Sequence, residues 1–307
     1  MTAENSTQSY RAGFVAVAGR PNVGKSTLIN AVLRQKIAAV TPRPQTTRRQ
    51  QLGILTLEHA QIVFIDTPGI HHPRHKLGER MNAEAEAALD DADVLLTIVD
   101  GSQPPHDEDH LLAEVIASVQ VLPPQVLAVN KIDLIDQETL AARQAAFGAL
   151  FPRATVMPIS AAYGHNLAEL LDLLISKLPE HPAFFPEDQI TDLYEREIAA
   201  DLIREAALLS LRDEVPHAIA IRIDEFKERG EGGAYIAATI FVERESQKPI
   251  VIGRGGEMIK RIGSMARREI EAMSGRKVFL DLRVKVRKNW RNNERMLSLF
   301  GFKGHRR

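Results

Sequence analysis

Cysteine is absent from this chain of 307 residues. Its absence excludes disulfides, thiolate catalysis and cysteine-ligated zinc, so the fold has no covalent cross-link. Aromatic residues make up only 5% of the chain, and tryptophan occurs once. No apolar run approaches the roughly 18 residues that a membrane-spanning helix needs. Residues 1–10 lack the basic and apolar regions of a signal peptide. We therefore predict a soluble, cytoplasmic protein with a disordered tail at residues 1–10.

Negative charge is scarce at one end of the chain. The formal net charge is −1, but residues 244–307 contain 18 Lys and Arg against 6 Asp and Glu. This basic end on an acidic body predicts a polyanionic partner. The alternative, a solvated charged face, does not need so large an excess of one sign. Charge alone does not distinguish RNA from an anionic membrane surface, since both attract Lys and Arg.

A phosphate-binding loop is predicted at residues 19–26. The pattern G-x-x-x-x-G-K-[ST] is matched by Gly19, Arg20, Pro21, Asn22, Val23, Gly24, Lys25 and Ser26. An apolar strand pattern precedes it and a helical pattern follows, as this motif requires. The glycines let successive backbone N–H groups face one anion, Lys25 can reach the outer phosphates, and Ser26 can ligate Mg²⁺. The loop indicates a nucleotide without saying which one.

Two later segments predict contacts to Mg²⁺ and to a terminal phosphate. Residues 37–51 contain Pro42 and Pro44 and predict an irregular loop, in which a threonine of the Thr46-Thr47 pair could close over the ion. Two strands, at residues 51–57 and 61–65, predict a hairpin that ends in Asp66, Thr67, Pro68 and Gly69. Asp66 can hold Mg²⁺ through water, and Gly69 can present its N–H to a γ-phosphate.

Three histidines follow this motif, at His71, His72 and His75. They could suggest a metal site. We do not predict one, because the segment contains Pro73 and reads as a loop, whereas metal ligands need a second layer of residues to fix them.

Helix and strand patterns then alternate to about residue 178. The strands are predicted at residues 94–99, 126–129 and 154–159, and the helices at 77–89, 108–119 and 167–178. This alternation predicts an α/β fold with a mostly parallel sheet and helices on both faces. Ligands of such sheets bind at the carboxyl ends of the strands.

A guanine site is predicted at one of these strand ends, where Asn130, Lys131, Ile132 and Asp133 follow each other. Asp133 can accept hydrogen bonds from the N1–H and 2-amino groups of guanine, which adenine does not offer, and such a site rejects the wrong base strongly. Asn130 can contact the base and tie loops together, and the Lys131 stem can lie along the ring. The backbone of Ser160, Ala161 and Ala162, after the next strand, could approach the guanine carbonyl.

A second domain is predicted after a proline-rich linker at residues 180–191. Its elements are a helix at about 192–211, two strands separated by the Gly230–Gly233 loop, two helices and a final strand at 278–286. We predict that Ser264 caps the second of these helices and that Gly275 ends it. Trp290 either stacks on a base or packs at the domain end.

A turn of pattern G-x-x-G, Gly253 to Gly256, opens a helix in this domain. With Arg254 inside it and Lys260 after it, such a turn can bring backbone and positive charge against the sugar-phosphate of a short single strand. The turn alone is a weak signal, and a plain helix–turn–helix connection also fits it.

Taken in order, the motifs GRPNVGKS, TTR, DTPG, NKID, SAA and VIGRGG resemble the Era family of bacterial GTPases, whose members carry a C-terminal type 2 KH domain. The resemblance covers nearly all of residues 11–300. It implies a P-loop GTPase domain at 11–179, a linker at 180–191, an α+β type 2 KH domain at 192–290 and a basic tail at 291–307. It also implies GTP and GDP binding with Mg²⁺, and slow hydrolysis of GTP to GDP and phosphate.

The resemblance further implies a partner and a location. The partner is 16S ribosomal RNA near its 3′ end, with a role in its processing and in assembly of the 30S subunit. The location is the cytoplasm, with peripheral association with the inner membrane, and we expect a monomer.

Roles for individual residues follow from the same resemblance. Residues 19–26 hold the phosphates, residues 66–70 form the γ-phosphate switch, and residues 130–133 and 160–162 hold the base. Ser26, Asp66 and Thr47 ligate Mg²⁺, with Thr46 as the adjacent candidate. RNA is held by Ile250, Ile252, Gly253, Arg254, Gly255, Gly256, Lys260, Arg287, Lys288, Arg291 and Arg295.

Ile70 departs from the pattern of Ras-like enzymes, which place a water-orienting glutamine directly after the D-x-x-G glycine. An isoleucine cannot orient water, so Ile70 is not catalytic, and we identify no catalytic side chain with certainty. Members of the Era family share this apolar replacement. Asn22 resembles the asparagine through which some of them hold K⁺ near the β- and γ-phosphates.

Three functional hypotheses remain at this point. In the first, GTP orders the Thr46-Thr47 loop and the Asp66 loop and biases the second domain toward RNA, and hydrolysis releases it. In the second, the chain is an RNA-binding module with a structural nucleotide. In the third, it is a P-loop kinase, which leaves residues 130–133 unexplained.

Overall fold

The computed structural model describes residues 9–41, 43, 46–229 and 233–302. Several sequence predictions lie outside the described residues. They are the N-terminal tail up to residue 8, Pro42 and Pro44, the turn at residues 230–232, and the basic residues from 303 onward.

The chain divides into two compact units, and each is built from separate stretches. The first contains residues 1–34, 50–70 and 85–192. The second contains residues 35–49, 71–84 and 193–307. Two short stretches from the first half of the sequence therefore belong to the same unit as the C-terminal half.

A six-stranded sheet forms the centre of the first unit, in the order β2-β3-β1-β4-β5-β6. Its strands are β1 Arg11–Ala18, β2 Gln51–Thr56, β3 Ala60–Asp66, β4 Val94–Asp100, β5 Gln125–Asn130 and β6 Ala154–Pro158. Only β2 pairs antiparallel; the other neighbours are parallel. Every residue of β3, β4 and β5 is buried, as expected for parallel strands covered on both faces. The predicted α/β fold is confirmed.

Five helices follow the strands of this sheet along the described chain: α1 Lys25–Leu33, α2 Lys76–Asp90, α3 Asp107–Ser118, α4 Gln137–Leu150 and α5 Leu167–Lys177. The part of α2 up to residue 84 belongs to the second unit. The helix α4 was missing from the sequence prediction. Its start is fixed by Asp136, whose carboxylate accepts a hydrogen bond from the Thr139 N–H at 2.8 Å. Phe147 is the one side chain of α4 that is buried, so the helix lacks the apolar stripe by which helices are read from sequence.

Residues 180–191, predicted as a linker, and the following Asp192 contact the edge of this sheet. The Ile190 carbonyl accepts a hydrogen bond from the Ile54 N–H at 2.8 Å, and the Asp192 carboxylate accepts one from the Leu52 N–H at 2.9 Å. The Gln61 side-chain oxygen accepts a further bond from the Phe184 N–H at 2.7 Å. This segment therefore pairs with the otherwise exposed edge strand β2, which is one of the ways in which proteins protect sheet edges.

The second unit has a three-stranded sheet in the order β7-β8-β9. Its elements are α6 Glu195–Ser210, β7 Ala220–Arg229, β8 Gly233–Val242, α7 Gln247–Ile252, α8 Glu257–Ser274, β9 Lys277–Val286 and α9 Glu294–Leu299. The strands β8 and β9 are parallel, and β7 and β8 are antiparallel. Ile236, Ala238 and Ile240 of β8 enter a core with residues of α6 and α8. The structure has the predicted sequence of helix, strand, strand, helix, helix and strand, but the first of the two middle helices, α7, precedes the G-x-x-G turn and was not predicted there, and α9 is added at the end.

The prediction that Ser264 caps a helix is wrong. The helix α8 begins at Glu257 and runs past Ser264, which is exposed in its interior, to Ser274. The break between the two helices lies instead at residues 253–256, where Gly253, Gly255 and Gly256 have φ values of 75°, 59° and 81°. Gly275 does end α8, at φ 66°. Within the described ranges, no helix is long and apolar enough to cross a membrane.

Candidate nucleotide and RNA sites

The phosphate loop joins β1 to α1 in the first unit. Gly24 has φ 109° and directly precedes α1, so the backbone N–H groups at the start of that helix form a site suited to anions. A Cβ atom at Gly24 would lie 2.2 Å from Asn130 Nδ2. Glycine is therefore required at this position by both backbone angle and space.

Lys25 is folded back into the loop. Its side chain is 6% exposed, and Nζ donates hydrogen bonds to the carbonyls of Gly19 and Arg20, each at 2.9 Å. Burial lowers the pKa of Lys25 to about 8, while the nearby Asp66 carboxylate opposes that shift. An anionic phosphate would favour the charged form of the amine. The position of Lys25 therefore suits phosphate binding.

Ser26 and Asp66 meet at the carboxyl ends of β1 and β3. The Ser26 hydroxyl donates to Asp66 Oδ2 at 2.9 Å, and Gln51 Nε2 lies 3.4 Å from the same oxygen. Asp66 is completely buried. A hydroxyl beside a carboxylate is the oxygen-donor set that Mg²⁺ prefers, so these residues fit that ion. The predicted partners Ser26 and Asp66 are thus brought together.

The D-x-x-G segment is fixed against the phosphate loop. Thr67 Oγ1 donates to the Val17 carbonyl at 2.8 Å. A Cβ atom at Gly69 would lie 2.7 Å from the Pro21 nitrogen, so only glycine allows this close approach. Ile70 is 1% exposed and packs in a core with residues of β1, α2 and β4. Its core position agrees with the expectation that it has no catalytic role.

Asn130 connects the phosphate loop to the loop after β6. Its Nδ2 donates to the Val23 carbonyl at 2.8 Å, and its Oδ1 accepts from the Ala161 N–H at 2.9 Å. The Ile132 N–H donates to the Ile159 carbonyl at 3.3 Å. The two predicted guanine segments are therefore held together by Asn130, as the sequence suggested.

Asp133 is exposed and accepts a hydrogen bond from the Ser160 hydroxyl. This bond orients the carboxylate that would read guanine. Ser160 is fully buried, and its backbone exchanges two hydrogen bonds with His165, at 3.2 and 3.1 Å. Ala162, the last member of the predicted set, is exposed.

Asp100 is a member of this site that the sequence analysis missed. It ends β4, and its carboxylate lies 2.6 Å from Lys131 Nζ and accepts a bond from the Ser102 hydroxyl at 2.6 Å. Burial would raise the pKa of Asp100, but the bonds from Lys131 and Ser102 hold it below its usual value. The pairing fixes the Lys131 stem. An acid at the end of a buried strand was the signal that could have found it.

Thr46 and Thr47 belong to the second unit. The Thr46 hydroxyl donates to the Arg43 carbonyl at 2.8 Å and lies 2.8 Å from the Thr41 hydroxyl. Which of Thr46 and Thr47 ligates Mg²⁺ stays a prediction.

Arg48, next to these threonines, is buried in the second unit. Its two terminal nitrogens donate to the carbonyls of Ile219 at 2.8 Å and His217 at 3.0 Å. Its guanidinium carbon lies 5.9 Å from the centre of the Trp290 ring. Burial, with Arg204 and Arg291 nearby, lowers the pKa of Arg48 well below its usual range. The segment at residues 35–49 is thus anchored among the elements of the C-terminal half.

The stretch at residues 71–84 is anchored in the same unit. Leu77 and Met81 of α2 are buried in a cluster with Phe241, Trp290 and Phe300. Trp290 is fully buried, and its Nε1 donates to the Ala218 carbonyl at 2.8 Å. Stacking of Trp290 on a base is therefore excluded, and packing at the domain end, the other sequence interpretation, is confirmed.

The histidines after the D-x-x-G motif form no metal centre; no group of three potential ligands occurs anywhere in the described part of the chain. His71 is buried, and its carbonyl accepts a bond from Asn82 at 2.7 Å. His75 precedes α2, and its Nδ1 accepts a hydrogen bond from the Gly78 N–H at 3.0 Å. Burial, with Arg291 and Arg48 nearby, lowers the pKa of His75 from 6.5 to about 4.

Acid should destabilise the second unit through His75. Because its pKa falls from 6.5 to about 4 on folding, the unfolded chain binds more protons in that interval. The contribution of His75 to the free energy of unfolding is therefore fully present above pH 6.5, where the ring is neutral in both states, and is lost as the pH falls toward 4. We expect His75→Asn, which keeps a cap acceptor, to lose less thermal stability than the native chain between pH 6.5 and 5. The exposed neighbour His72→Asn is the control, and equal acid sensitivity in all three proteins would contradict this role.

The G-x-x-G turn projects from the second unit at the start of α8. Arg254, Gly255 and Lys260 are exposed, and Ile250 is 49% exposed. The Gly256 N–H donates to the Gly253 carbonyl at 3.1 Å. The turn therefore combines flexible backbone, the positive end of a helix and two cations, which together suit a sugar-phosphate backbone.

The other predicted RNA contacts differ in their surroundings. Arg287, Lys288 and Arg295 are exposed. Arg291 is half-buried, and its Nε donates to the Glu243 carboxylate at 3.0 Å, in an ion pair completed by its terminal nitrogen. Arg291 is thus engaged in a structural pair, whereas the other three cations face solvent.

Known proteins resemble the chain along almost its whole length. The family described as 50S ribosome-binding GTPase matches residues 14–131, and the KH domain family matches residues 214–291. The GTPase Era of Geotalea uraniireducens is 46% identical over 295 residues, covering 96% of this chain and 99% of the relative. The GTPase Era of Geobacter metallireducens is 46% identical over 298 residues, covering 97% and 99%.

Two solved structures have the same architecture. Era in complex with MgGDPNP and nucleotides 1506–1542 of 16S ribosomal RNA has a TM-score of 0.91 at 39% identity, covering 95% of this chain and 99% of that chain. A point variant of Era from Aquifex aeolicus bound to GDP and AlF4⁻ has a TM-score of 0.90 at 38% identity, with the same coverage.

Proposed function

The chain belongs to the Era family of GTPases, and on this basis we propose that it binds GTP and GDP with Mg²⁺, hydrolyses GTP to GDP and phosphate, and binds 16S ribosomal RNA near its 3′ end. The observation that carries the proposal is the joining of the phosphate, Mg²⁺ and guanine motifs in one unit by Ser26, Asp66 and Asn130. Roles in 16S processing and 30S assembly, and a peripheral membrane pool, are part of the proposal. The proposal also includes a linker at residues 180–191 between the two domains, a basic tail from residue 291 and a monomeric state.

Different residues of the first unit have different roles in GTP hydrolysis. The backbone N–H groups of residues 22–26 and the Lys25 ammonium hold the phosphate oxygens, and the Gly69 N–H contacts the γ-phosphate. Ser26 and Asp66 would hold Mg²⁺, which would neutralise charge on the phosphates. Ile70 lies in the core and offers no group to orient water. Intrinsic hydrolysis is therefore slow.

Nucleotide state is coupled to RNA binding in this proposal. Support comes from residues 35–49 and 71–84, which flank the Mg²⁺ and γ-phosphate motifs in sequence and pack in the RNA-binding unit. Arg48, with its two carbonyl acceptors, and Leu77, in the Trp290 cluster, make contacts that a rearrangement of these segments would change. Because GTP and GDP differ at the γ-phosphate, they would bias such an arrangement differently.

A K⁺ ion beside the phosphates is a further part of the proposal. Asn22 is exposed in the phosphate loop at φ 65°, a backbone angle that asparagine tolerates better than most residues. An additional cation there would stabilise negative charge that develops during phosphoryl transfer. We expect faster hydrolysis in K⁺ than in Na⁺ buffer, and we expect Asn22→Ala to remove the difference. Equal rates in the two buffers for the native chain would eliminate this cation.

The ribosomal assignment is tested by crosslinking the protein to total cellular RNA, once with GDP and once with a non-hydrolysable GTP analogue. We expect 16S ribosomal RNA to be enriched, with the crosslinks concentrated near its 3′ end. Gly255→Asp serves as the control that impairs the predicted RNA surface. Recovery of RNA without 16S enrichment in either nucleotide state would refute the assignment.

A further inference from the structure

An aromatic pair of one exposed and one half-buried ring lies on the sheet of the second unit, away from the G-x-x-G turn. Phe279 of β9 is 62% exposed, although its neighbours Val278 and Leu280 enter the core. Tyr235 lies directly opposite it on the parallel strand β8. The two rings are 5.7 Å apart with an angle of 18° between their planes. Because side chains alternate along a strand, both rings stand on the face opposite the helices.

Positive charge accompanies this pair along β9. Three cations of β9 share its outward positions and are exposed: Lys277, Arg283 and Lys285. The one acid among them, Asp281, accepts a hydrogen bond from Arg283 at 3.0 Å. Outward side chains are about 6.6 Å apart along a strand, close to the spacing of phosphates in an extended single strand. A surface cavity of about 400 Å³ adjoins Phe279, and its charged lining residues are Arg267, Glu271 and Lys277.

The pair is too far from the G-x-x-G turn to belong to it. The turn precedes α8, and the N–H of Val278, next to Phe279, donates to the Glu271 carboxylate near the other end of that helix at 2.9 Å, so roughly 20 Å of helix separates the two features. One base held at the turn cannot reach Phe279. The aromatic pair is thus a distinct surface.

We propose that Tyr235 and Phe279, with the β9 cations, form a second contact for single-stranded RNA, in which bases stack on the rings and phosphates follow the strand. Single-strand binders combine exposed aromatic rings with a positively charged track in this way. A protein interface centre would be depleted of charge around its aromatic residues. Here the rings are flanked by Lys277 on β9 and by Lys227 on β7, which is paired with Glu225 of the same strand. This proposal depends on the proposed function in one respect, namely that the ligand is RNA.

Phe279 variants test the proposal in the full chain with GDP bound. The probe is a fluorescein-labelled decauridylate, and the readout is Kd by fluorescence anisotropy. Loss of one stacked base should weaken binding by about fivefold or more in Phe279→Ala. Phe279→Trp should bind at least as tightly as the native chain. Phe279→Leu should lose as much as the alanine variant, because leucine keeps apolar surface but has no π face.

Two outcomes would overturn this second RNA contact. One is an unchanged Kd in Phe279→Ala; the other is native-like binding by Phe279→Leu, which would show that the RNA contact needs no aromatic ring at this position. Because Phe279 is exposed, the variants should keep the native melting temperature. Gly255→Asp distinguishes failure of this proposal from failure of the G-x-x-G assignment. If the G-x-x-G assignment alone is wrong, Gly255→Asp binds the RNA normally and Phe279→Ala binds it weakly. If the aromatic surface alone is wrong, Phe279→Ala binds normally and Gly255→Asp binds weakly.

Discussion

Replacing Asp133 by asparagine is expected to weaken GDP binding by about two orders of magnitude or more and to improve binding of xanthosine diphosphate. The Asp133 carboxylate accepts hydrogen bonds from the N1–H and 2-amino groups of guanine in the proposed function. Asparagine offers one acceptor and one donor, so the 2-amino group would face a donor. Xanthine has a carbonyl in place of that amino group and accepts the new bond. Sites built on such hydrogen bonds discriminate strongly.

The measurement is the Kd for GDP, ADP and xanthosine diphosphate by calorimetry on the native and variant chains. Asp136→Asn is the matched control, because Asp136 is an acid in the same loop whose role is to cap α4. Asparagine caps helices as well as aspartate does, so this control should keep its preference for GDP. If Asp133→Asn still selected GDP over ADP and xanthosine diphosphate as the native chain does, the guanine assignment would be wrong.

Replacing Gly255 by aspartate is expected to weaken binding of 16S 3′-end RNA by about tenfold or more without changing GDP affinity. A Cβ atom at Gly255 would meet no atom within 4 Å, so the side chain has room. The backbone there has φ 59°, an angle that aspartate tolerates better than most residues. The new carboxylate would stand where phosphates are expected and repel them. The fold should therefore survive while the RNA site is lost.

Gly255→Asn isolates the charge in this experiment. Asparagine matches aspartate in shape and in its tolerance of positive φ, so both variants carry the same backbone cost. Affinity is measured at two salt concentrations, because a lost phosphate contact also reduces the salt dependence. If aspartate and asparagine weakened binding equally, the effect would come from the backbone and not from a phosphate contact.

The G motifs could be read from sequence because each is short and contiguous. Gly24, Lys25 and Ser26 occupy consecutive positions, and the strand–loop–helix pattern around them predicts that they face one site. The parallel sheet then places residues 66–69, 130–133 and 160–162 at the same edge. The contacts from Ser26 to Asp66 and from Asn130 to Ala161 follow from that topology.

Features that depend on distant parts of the chain could not be read this way. Arg48 lies in a segment that predicted an irregular loop, but its partners His217 and Ile219 are about 170 positions away. No local pattern encodes such a contact. Ser264 misled because serine is a common helix cap, whereas the three glycines with positive φ had already separated α7 from α8. The aromatic pair escaped notice because Tyr235 and Phe279 become neighbours only through strand register.

The most direct test of nucleotide-controlled RNA binding is the Kd for 16S 3′-end RNA with GDP, with a non-hydrolysable GTP analogue and with no nucleotide. The account predicts tighter binding with the analogue than with GDP, by at least about fivefold, the lower range of allosteric coupling. Arg48→Met, which keeps apolar length against Trp290 but loses both carbonyl bonds, should reduce the difference. The same Kd in all three states would contradict the account and leave an RNA-binding module with a structural nucleotide.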